Sequence, residues 1–68
     1  MLDALHAARA ALRDELAPLA VSHLDAASLD APAGNMTALT AIATARDYAD
    51  CGDFDQAERF VTKASDAA

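Results

Sequence analysis

The sequence is poor in the residues that build sheets and sharp turns. Tryptophan is absent, aromatic residues make up 4% of the 68-residue chain, and glycine and proline occur only twice each. The aromatic and β-branched residues are too scattered to give the alternating pattern of a strand. More than a quarter of the residues are alanine, the strongest intrinsic helix former. We therefore expect an all-α fold, a small bundle of three to four helices.

Cysteine and long apolar runs are also scarce. The one cysteine, Cys51, has no partner for an internal disulfide, so nothing indicates an oxidising compartment. The N-terminus lacks the basic start and apolar run of a secretory signal. No stretch approaches the roughly 18 apolar residues of a membrane span. We expect a cytoplasmic protein with no membrane partner.

Positive charge is the third deficit. The net charge is −6, with nine aspartates and two glutamates against four arginines and one lysine. Because nucleic-acid binding depends on a Lys/Arg surface, direct contact with nucleic acid is not expected. Two explanations of the acidity remain open: a surface adapted for solubility or salt, and a surface that meets a basic partner.

The N-terminal part, residues 1–29, has the pattern of a kinked helix or a helix pair. Leucines spaced by three, four and seven positions predict an amphipathic helix from Leu2 to about Leu16. Pro18 lacks the amide that a continuing helix needs, so the helix should kink or stop there. A second short helix is then predicted from Pro18 to about Ala27.

Residues 30–35 predict a loop, and residues 36–68 a helical hairpin within the same single domain, 1–68. Asn35 can cap a helix from Met36 to about Cys51, and Gly52 can end that helix. Asp53 with Gln56 three positions later forms a capping box. A last helix should therefore begin at Phe54 and run nearly to the end of the chain.

This hairpin resembles a single tetratricopeptide repeat, a unit of roughly 34 residues made of two antiparallel helices. The matching positions are Ala45, Tyr48, Gly52, Phe54, Ala57, Val61 and Ala64. The resemblance implies close helix contact at the alanines, with Tyr48 and Phe54 filling the space near the turn. The family's tryptophan position holds Ala41, however, and a shift back by one repeat places Pro18 at the turn glycine. We therefore interpret the N-terminal half as an unrelated helix pair.

Candidate metal and catalytic residues form no strong pattern. Residues 47–58 resemble a calcium-binding loop, but Ala49 and Cys51 stand where oxygen ligands are needed. His6, His23 and Cys51 lack the close spacing of zinc ligands. Cys51 ends a helix, where the dipole disfavours a thiolate, and should be a small packed residue. We expect no cofactor, no metal and no enzymatic activity.

Thr37, Thr40 and Thr44 form a polar stripe on the third predicted helix, at spacings of three and four. The stripe fits either a solvated face or a partner contact.

The densest group of charges, called the acidic cluster below, surrounds the predicted hairpin turn. Its members are Asp47, Asp50, Asp53, Asp55 and Glu58. Like charges this close repel one another and would gain from a basic partner, although turn capping and solubility are the simpler explanation. The chain resembles, in size and charge but not in sequence, the small acidic inhibitors of phages and mobile elements that block restriction or CRISPR complexes. The first hypothesis is therefore a non-catalytic inhibitor that covers a basic, nucleic-acid-binding surface of a larger protein.

The second hypothesis is a structural or adaptor module that pairs with its own copy or with a host subunit. Its contact surface would be an apolar helix face, and acidity would be incidental. The candidate residues are Leu5, Leu12, Leu16 and Leu19.

Overall fold

The computed structural model describes all residues, Met1–Ala68, and contains only α-helices as regular structure. Its four helices are α1 (Leu2–Arg13), α2 (Ala17–Asp30), α3 (Met36–Asp50) and α4 (Phe54–Asp66). The prediction of a small all-α bundle is confirmed. The predicted stop before Pro18 is also correct, although α1 ends earlier than Leu16, and α2 continues to Asp30 before the loop begins.

The helices form a closed ring in which each packs against two others. α1 lies against α2 and α4, and α3 lies against α2 and α4. The resulting body measures 30 × 17 × 16 Å along its principal axes. Contact between α1 and α4 closes the bundle, so the two helical hairpins do not stack as an open solenoid. No helix is both long and apolar enough to cross a membrane.

Alanine dominates the core of the bundle. Ten of the fifteen buried residues are alanine. The largest fully buried side chains are Leu5, Leu12, Leu24 and Val61. Small side chains let helix axes approach closely, but each buries little apolar area, so a few larger side chains carry much of the hydrophobic stabilisation.

The turn between α1 and α2 is a Schellman motif with an unusual residue at its left-handed position. Glu15 has φ 57°. The Glu15 amide donates to the carbonyl of Leu12 at 3.1 Å, and the Leu16 amide donates to that of Ala11 at 2.9 Å. Glycine usually occupies this position because a Cβ atom is unfavourable there. Leu16 then serves as the N-cap of α2, without a side-chain hydrogen bond.

The turn between α3 and α4 has the same geometry. Gly52 has φ 81° and donates to the carbonyl of Ala49 at 3.1 Å, while the Asp53 amide donates to that of Tyr48 at 2.9 Å. Asp53 is the N-cap of α4, and its carboxylate accepts from the Gln56 amide at 3.3 Å. The predicted glycine stop and the predicted Asp53 cap are both confirmed, but the predicted capping box is incomplete, because the Asp53 amide donates to Tyr48 and not to the Gln56 side chain.

The two hairpins are therefore equivalent at a separation of 37 positions, which corrects the interpretation of the N-terminal half as unrelated. Residues at this separation are buried in both hairpins. They are Leu5 with Ile42, Ala8 with Ala45, Leu12 with Ala49, Ala20 with Ala57, Leu24 with Val61 and Ala27 with Ala64. A shift of 34 positions misses the equivalence because it aligns Pro18, rather than Glu15, with Gly52.

Asn35 links the start of α3 to the end of α4, at the end of the bundle opposite these turns. Its side-chain oxygen accepts from the Ala38 amide at 3.2 Å and caps α3, as predicted. Its Nδ2 donates to the carbonyl of Ala67 at 2.8 Å, just past α4. One side chain thus satisfies the start of one helix and the end of the next. Nearby on α4, the buried hydroxyl of Ser65 has no hydrogen-bond partner.

Candidate functional site

The acidic cluster lies at the end of the bundle where the α1–α2 and α3–α4 turns meet, but the structure divides it into two groups. Asp47 and Asp50 line a shallow depression of about 330 Å³ between α2 and α3. Asp53, Asp55 and Glu58 line another, of about 440 Å³, between α4 and the α1–α2 turn. The members are therefore neighbours around a turn and do not converge on one point.

Two acidic residues outside the predicted cluster join this end of the molecule. Glu15 lines the same depression as Asp53 and Asp55. Asp14 is the C-cap residue of α1, next to Glu15 in the same turn, and both are exposed. The predicted cluster does not include these two residues, because the N-terminal half was interpreted as unrelated to the hairpin. Four helices that alternate in direction place the first and third turns at the same end of a bundle, so the order of the predicted helices could have indicated that Asp14 and Glu15 lie near the acidic cluster.

Seven of the eleven acidic residues consequently lie at one end of the bundle, called the acidic end below. They are Asp14, Glu15, Asp47, Asp50, Asp53, Asp55 and Glu58. The other four acidic residues lie elsewhere along the helices or at the opposite end. The charge of the molecule is therefore distributed unevenly, which creates a directional field as well as a net charge.

Ion pairs neutralise little of this charge. The Nε of Arg13 lies 3.1 Å from a carboxylate oxygen of Glu58, which joins α1 to α4. Arg46 lies 2.9 Å from Asp25 on α2, so its guanidinium group pairs with a carboxylate outside the acidic end. The other six acidic residues of this end form no ion pair. Their charges remain available for an external partner.

The predicted leucine surface does not exist as one face. Leu5 and Leu12 are 0% and 1% exposed and belong to the core of the bundle. Leu16 and Leu19 are 47% and 48% exposed, at the start of α2. The stripe divides because α1 ends at Arg13, after which the backbone reverses direction. Of the four predicted leucines, only Leu16 and Leu19 can contact a partner without unfolding of the chain.

Packing within the α3–α4 hairpin follows the predicted small positions but uses a different aromatic pair. Ala45, Ala57 and Val61 are all fully buried. The ring of Tyr48 stacks on Phe60, with centroids 5.7 Å apart and an interplanar angle of 20°. The expected partner of Tyr48 was a phenylalanine nearer the turn. The observed pair instead joins the last turn of α3 to Phe60, nearly two turns into α4, and adds an aromatic contact between the two helices.

The candidate metal and thiol residues are dispersed. No group of three or more His, Cys, Asp or Glu side chains is arranged to hold a metal ion. Cys51 is exposed and unpaired. The prediction that Cys51 is packed is wrong, because this residue is the C-cap of α3 and lies outside the helix contacts.

Comparisons with known proteins do not assign the chain to a family. No family model matches it, and neither a curated protein nor a solved structure gives a significant match. The resemblance of residues 36–68 to a tetratricopeptide hairpin stays a prediction based on the residues that carry it.

Proposed function

We propose that this chain is a non-catalytic protein-binding module whose acidic end docks on a basic, nucleic-acid-binding surface of a larger protein. The supporting observation is the meeting of the two turns, which adds Asp14 and Glu15 to the predicted acidic cluster. Occlusion of this kind is the mode of small phage or mobile-element inhibitors, such as those of the anti-CRISPR or anti-restriction class. A cytoplasmic location agrees with the single cysteine.

The shape of the acidic end suits occlusion better than catalysis. Its depressions are shallow and open, and carboxylates line both of them, with one arginine in each, Arg13 and Arg46, that is already paired with a carboxylate of the chain. Enclosed, largely apolar pockets are the usual sites for small-molecule chemistry. An open surface with several unpaired carboxylates can instead mimic the charge of a phosphate backbone, and complementary charge would accelerate association and give salt dependence.

The first step of the test is to capture the partner from the native host and identify it by mass spectrometry. Binding of the purified partner is then measured over a range of salt concentrations, with its nucleic acid as competitor. We expect affinity to fall steeply with ionic strength and the nucleic acid to compete. Binding that is insensitive to salt, or simultaneous binding of the nucleic acid, would overturn the proposal.

A matched pair of double variants locates the contact. Asp47→Lys with Asp50→Lys reverses charge at the acidic end, in the last turn of α3, where the helix dipole favours cations. Asp30→Lys with Asp66→Lys makes the same charge change at the ends of α2 and α4, on the opposite end of the bundle. We expect only the first pair to weaken binding strongly. Equal losses would indicate a dependence on net charge alone.

The exposure of Leu16 and Leu19 supports a second candidate, a structural or adaptor module that pairs with its own copy or a host subunit. These two leucines are half-exposed and lie about one helical turn apart, so together they offer a small apolar surface to a partner. Sedimentation of the protein over a range of concentrations tests self-association. A homodimer that dissociates when Leu19→Ser is introduced, but not when Asp47 and Asp50 are reversed, would favour this candidate over the acidic one.

A further inference from the structure

A groove on the outer side of the α3–α4 hairpin differs in character from the acidic end. It has a volume of about 400 Å³ and is lined by Met36, Thr37, Thr40, Ala41, Thr44, Phe60 and Lys63. Ala41 is buried in its floor, and Met36 is 64% exposed at its rim. The lining is largely methyl, thioether and aromatic groups, so the groove presents apolar surface to water.

Two cations of α4, one in the lining of this groove and one next to it, have no ion-pair partner within the chain. Arg59 and Lys63 lie one turn apart on α4, and neither forms an ion pair. The Lys63 Nζ lies 5.1 Å from the ring centroid of Phe60, which holds the ammonium group over the groove. A second small depression lined by Arg59, Phe60 and Lys63 continues this surface along α4.

Arg59 and Lys63 are exposed and unpaired although the chain has a net charge of −6. Like charges at positions i and i+4 of a helix repel each other, and Asp55, four positions before Arg59, makes no ion pair with it. The arrangement leaves a local positive edge beside an apolar groove, away from the acidic end. This combination is complementary to a ligand that is apolar on one side and anionic along one edge.

From this complementarity we propose that the α3–α4 groove binds an amphipathic helix of a partner protein, with carboxylates beside its apolar stripe. A helix fits better than an extended strand, because the chain has no sheet edge to extend and its backbone hydrogen bonds lie within helices and turns. The apolar stripe would cover Ala41 and Phe60, and the carboxylates would pair with Arg59 and Lys63. Nucleic acid is disfavoured, because only two cations would face its phosphates.

The threonine stripe lines the α3 side of the groove, opposite Phe60 and Lys63 on α4. Thr44 donates its hydroxyl to the Thr40 carbonyl of its own helix at 2.9 Å, so this hydroxyl is already satisfied within α3. Thr37 and Thr40 are exposed next to Met36. The stripe, which fitted either a solvated face or a partner contact, then belongs to the contact, to which threonine can offer both a methyl group and a hydroxyl. This site is separate from the acidic end, so either proposal can fail alone.

The test uses a labelled synthetic helix of about 15 residues, near the length at which isolated helices become populated in water. It carries leucines at helical spacing with flanking glutamates, and a matched peptide has glutamines in place of the glutamates, which removes the negative charge without creating a basic ligand for the acidic end. Fluorescence anisotropy with the full chain measures binding. We expect the glutamate peptide to bind and the glutamine peptide to bind much more weakly. Equal binding of the two peptides, or no binding of the glutamate peptide, would overturn the proposal.

Two double variants with the same change in net charge identify the surface. Arg59→Gln with Lys63→Gln removes the cation that lines the groove and the one beside it, and Ser22→Glu with Ala26→Glu adds two anions on the exposed side of α2. The first variant should bind the glutamate peptide about five- to tenfold more weakly, as expected for the loss of two exposed ion pairs. Equal weakening by both variants contradicts the assignment.

Met36→Ser and sedimentation complete the test. Met36→Ser should weaken peptide binding without changing thermal stability, because this side chain is mostly exposed. If the protein alone forms a dimer that Met36→Ser dissociates, the groove is covered by a second copy and the proposal of a partner helix is wrong. Circular dichroism of every variant separates lost binding from lost folding.

Discussion

Glu15 and Gly52 occupy the same left-handed position in two equivalent turns, with φ angles of 57° and 81°. Both residues follow a helix C-cap, and both precede the N-cap residue of the next helix. A Cβ atom at Gly52 would meet no other atom within 4 Å. The difference between the two positions is therefore the intrinsic backbone preference of the residue and not local crowding.

Opposite substitutions at these two positions should have opposite effects on stability. A left-handed residue with a Cβ atom costs about 1–2 kcal/mol, partly offset because glycine loses more backbone freedom on folding. We expect Glu15→Gly to raise the free energy of unfolding by about 0.5–1 kcal/mol, and Gly52→Ala to lower it by about 1 kcal/mol. Urea denaturation followed by circular dichroism measures both changes.

Glu15→Gln is the control, since it removes the charge and retains the left-handed Cβ atom. Glu15→Gln should leave the backbone contribution to the free energy of unfolding unchanged. If Glu15→Gln stabilised the chain as much as Glu15→Gly, relief of charge repulsion at the acidic end would explain the gain.

The uncapped start of α2 offers a second prediction. Leu16 has the position that Asp53 has at the start of α4, but makes no capping hydrogen bond. Leu16→Ser supplies a capping hydrogen bond that typically stabilises a helix by about 1 kcal/mol. It also removes the half-buried leucine side chain, which costs about the same free energy of unfolding. We therefore expect Leu16→Ser to be near neutral and Leu16→Ala to be about 1 kcal/mol less stable than Leu16→Ser. Equal Tm values for Leu16→Ser and Leu16→Ala would show that the serine forms no capping hydrogen bond.

The two hydrogen bonds of Asn35 can be separated. Asn35→Ala removes both the cap of α3 and the bond to Ala67, and should cost about 2 kcal/mol. Asn35→Ser keeps a capping oxygen but cannot reach Ala67, and should cost about 1 kcal/mol. In a chain of this size 1 kcal/mol corresponds to a shift of about 4–8 °C in Tm. Equal losses in the two variants would mean that the Ala67 bond contributes nothing.

Ser65→Ala should stabilise the bundle because it removes a buried hydroxyl without a hydrogen-bond partner. Ser22→Ala, at an exposed position of α2, is the matched control for the higher helix propensity of alanine. We expect Ser65→Ala to exceed Ser22→Ala by about 1 kcal/mol, the lower end of the desolvation cost of an unpaired buried group. Thermal melts that show no difference would indicate that the Ser65 hydroxyl is satisfied in solution.

The alanine contacts between helices leave no room for larger side chains. Ala45 is fully buried, whereas Ala43 on the same helix is exposed. Ala45→Leu should destabilise the chain by about 1–3 kcal/mol through overpacking, and Ala43→Leu should change stability by less than about 0.5 kcal/mol. A well-folded Ala45→Leu variant with unchanged Tm would contradict the close approach of the helices.

Local signals along the chain predicted most of the helical architecture. Asn35, Gly52 and Asp53 act within a few residues of their own positions, so their roles as caps and helix stop could be deduced directly. Pro18 likewise has a local role, because it lies in the first turn of α2, where its missing amide is tolerated. The left-handed Glu15 was not predictable in this way, because glutamate carries no preference for that conformation.

The sequence by itself determined the fold class, the helix boundaries to within a few residues and the excess of negative charge, because these depend on composition and short-range backbone chemistry. Tertiary structure decided which side chains face water. Closure of α1 against α4 buried Leu5 and Leu12, left Leu16 and Leu19 exposed, and placed the two turns side by side. Exposure and charge clustering depend on contacts between residues far apart in the chain, so only the packed bundle specifies them.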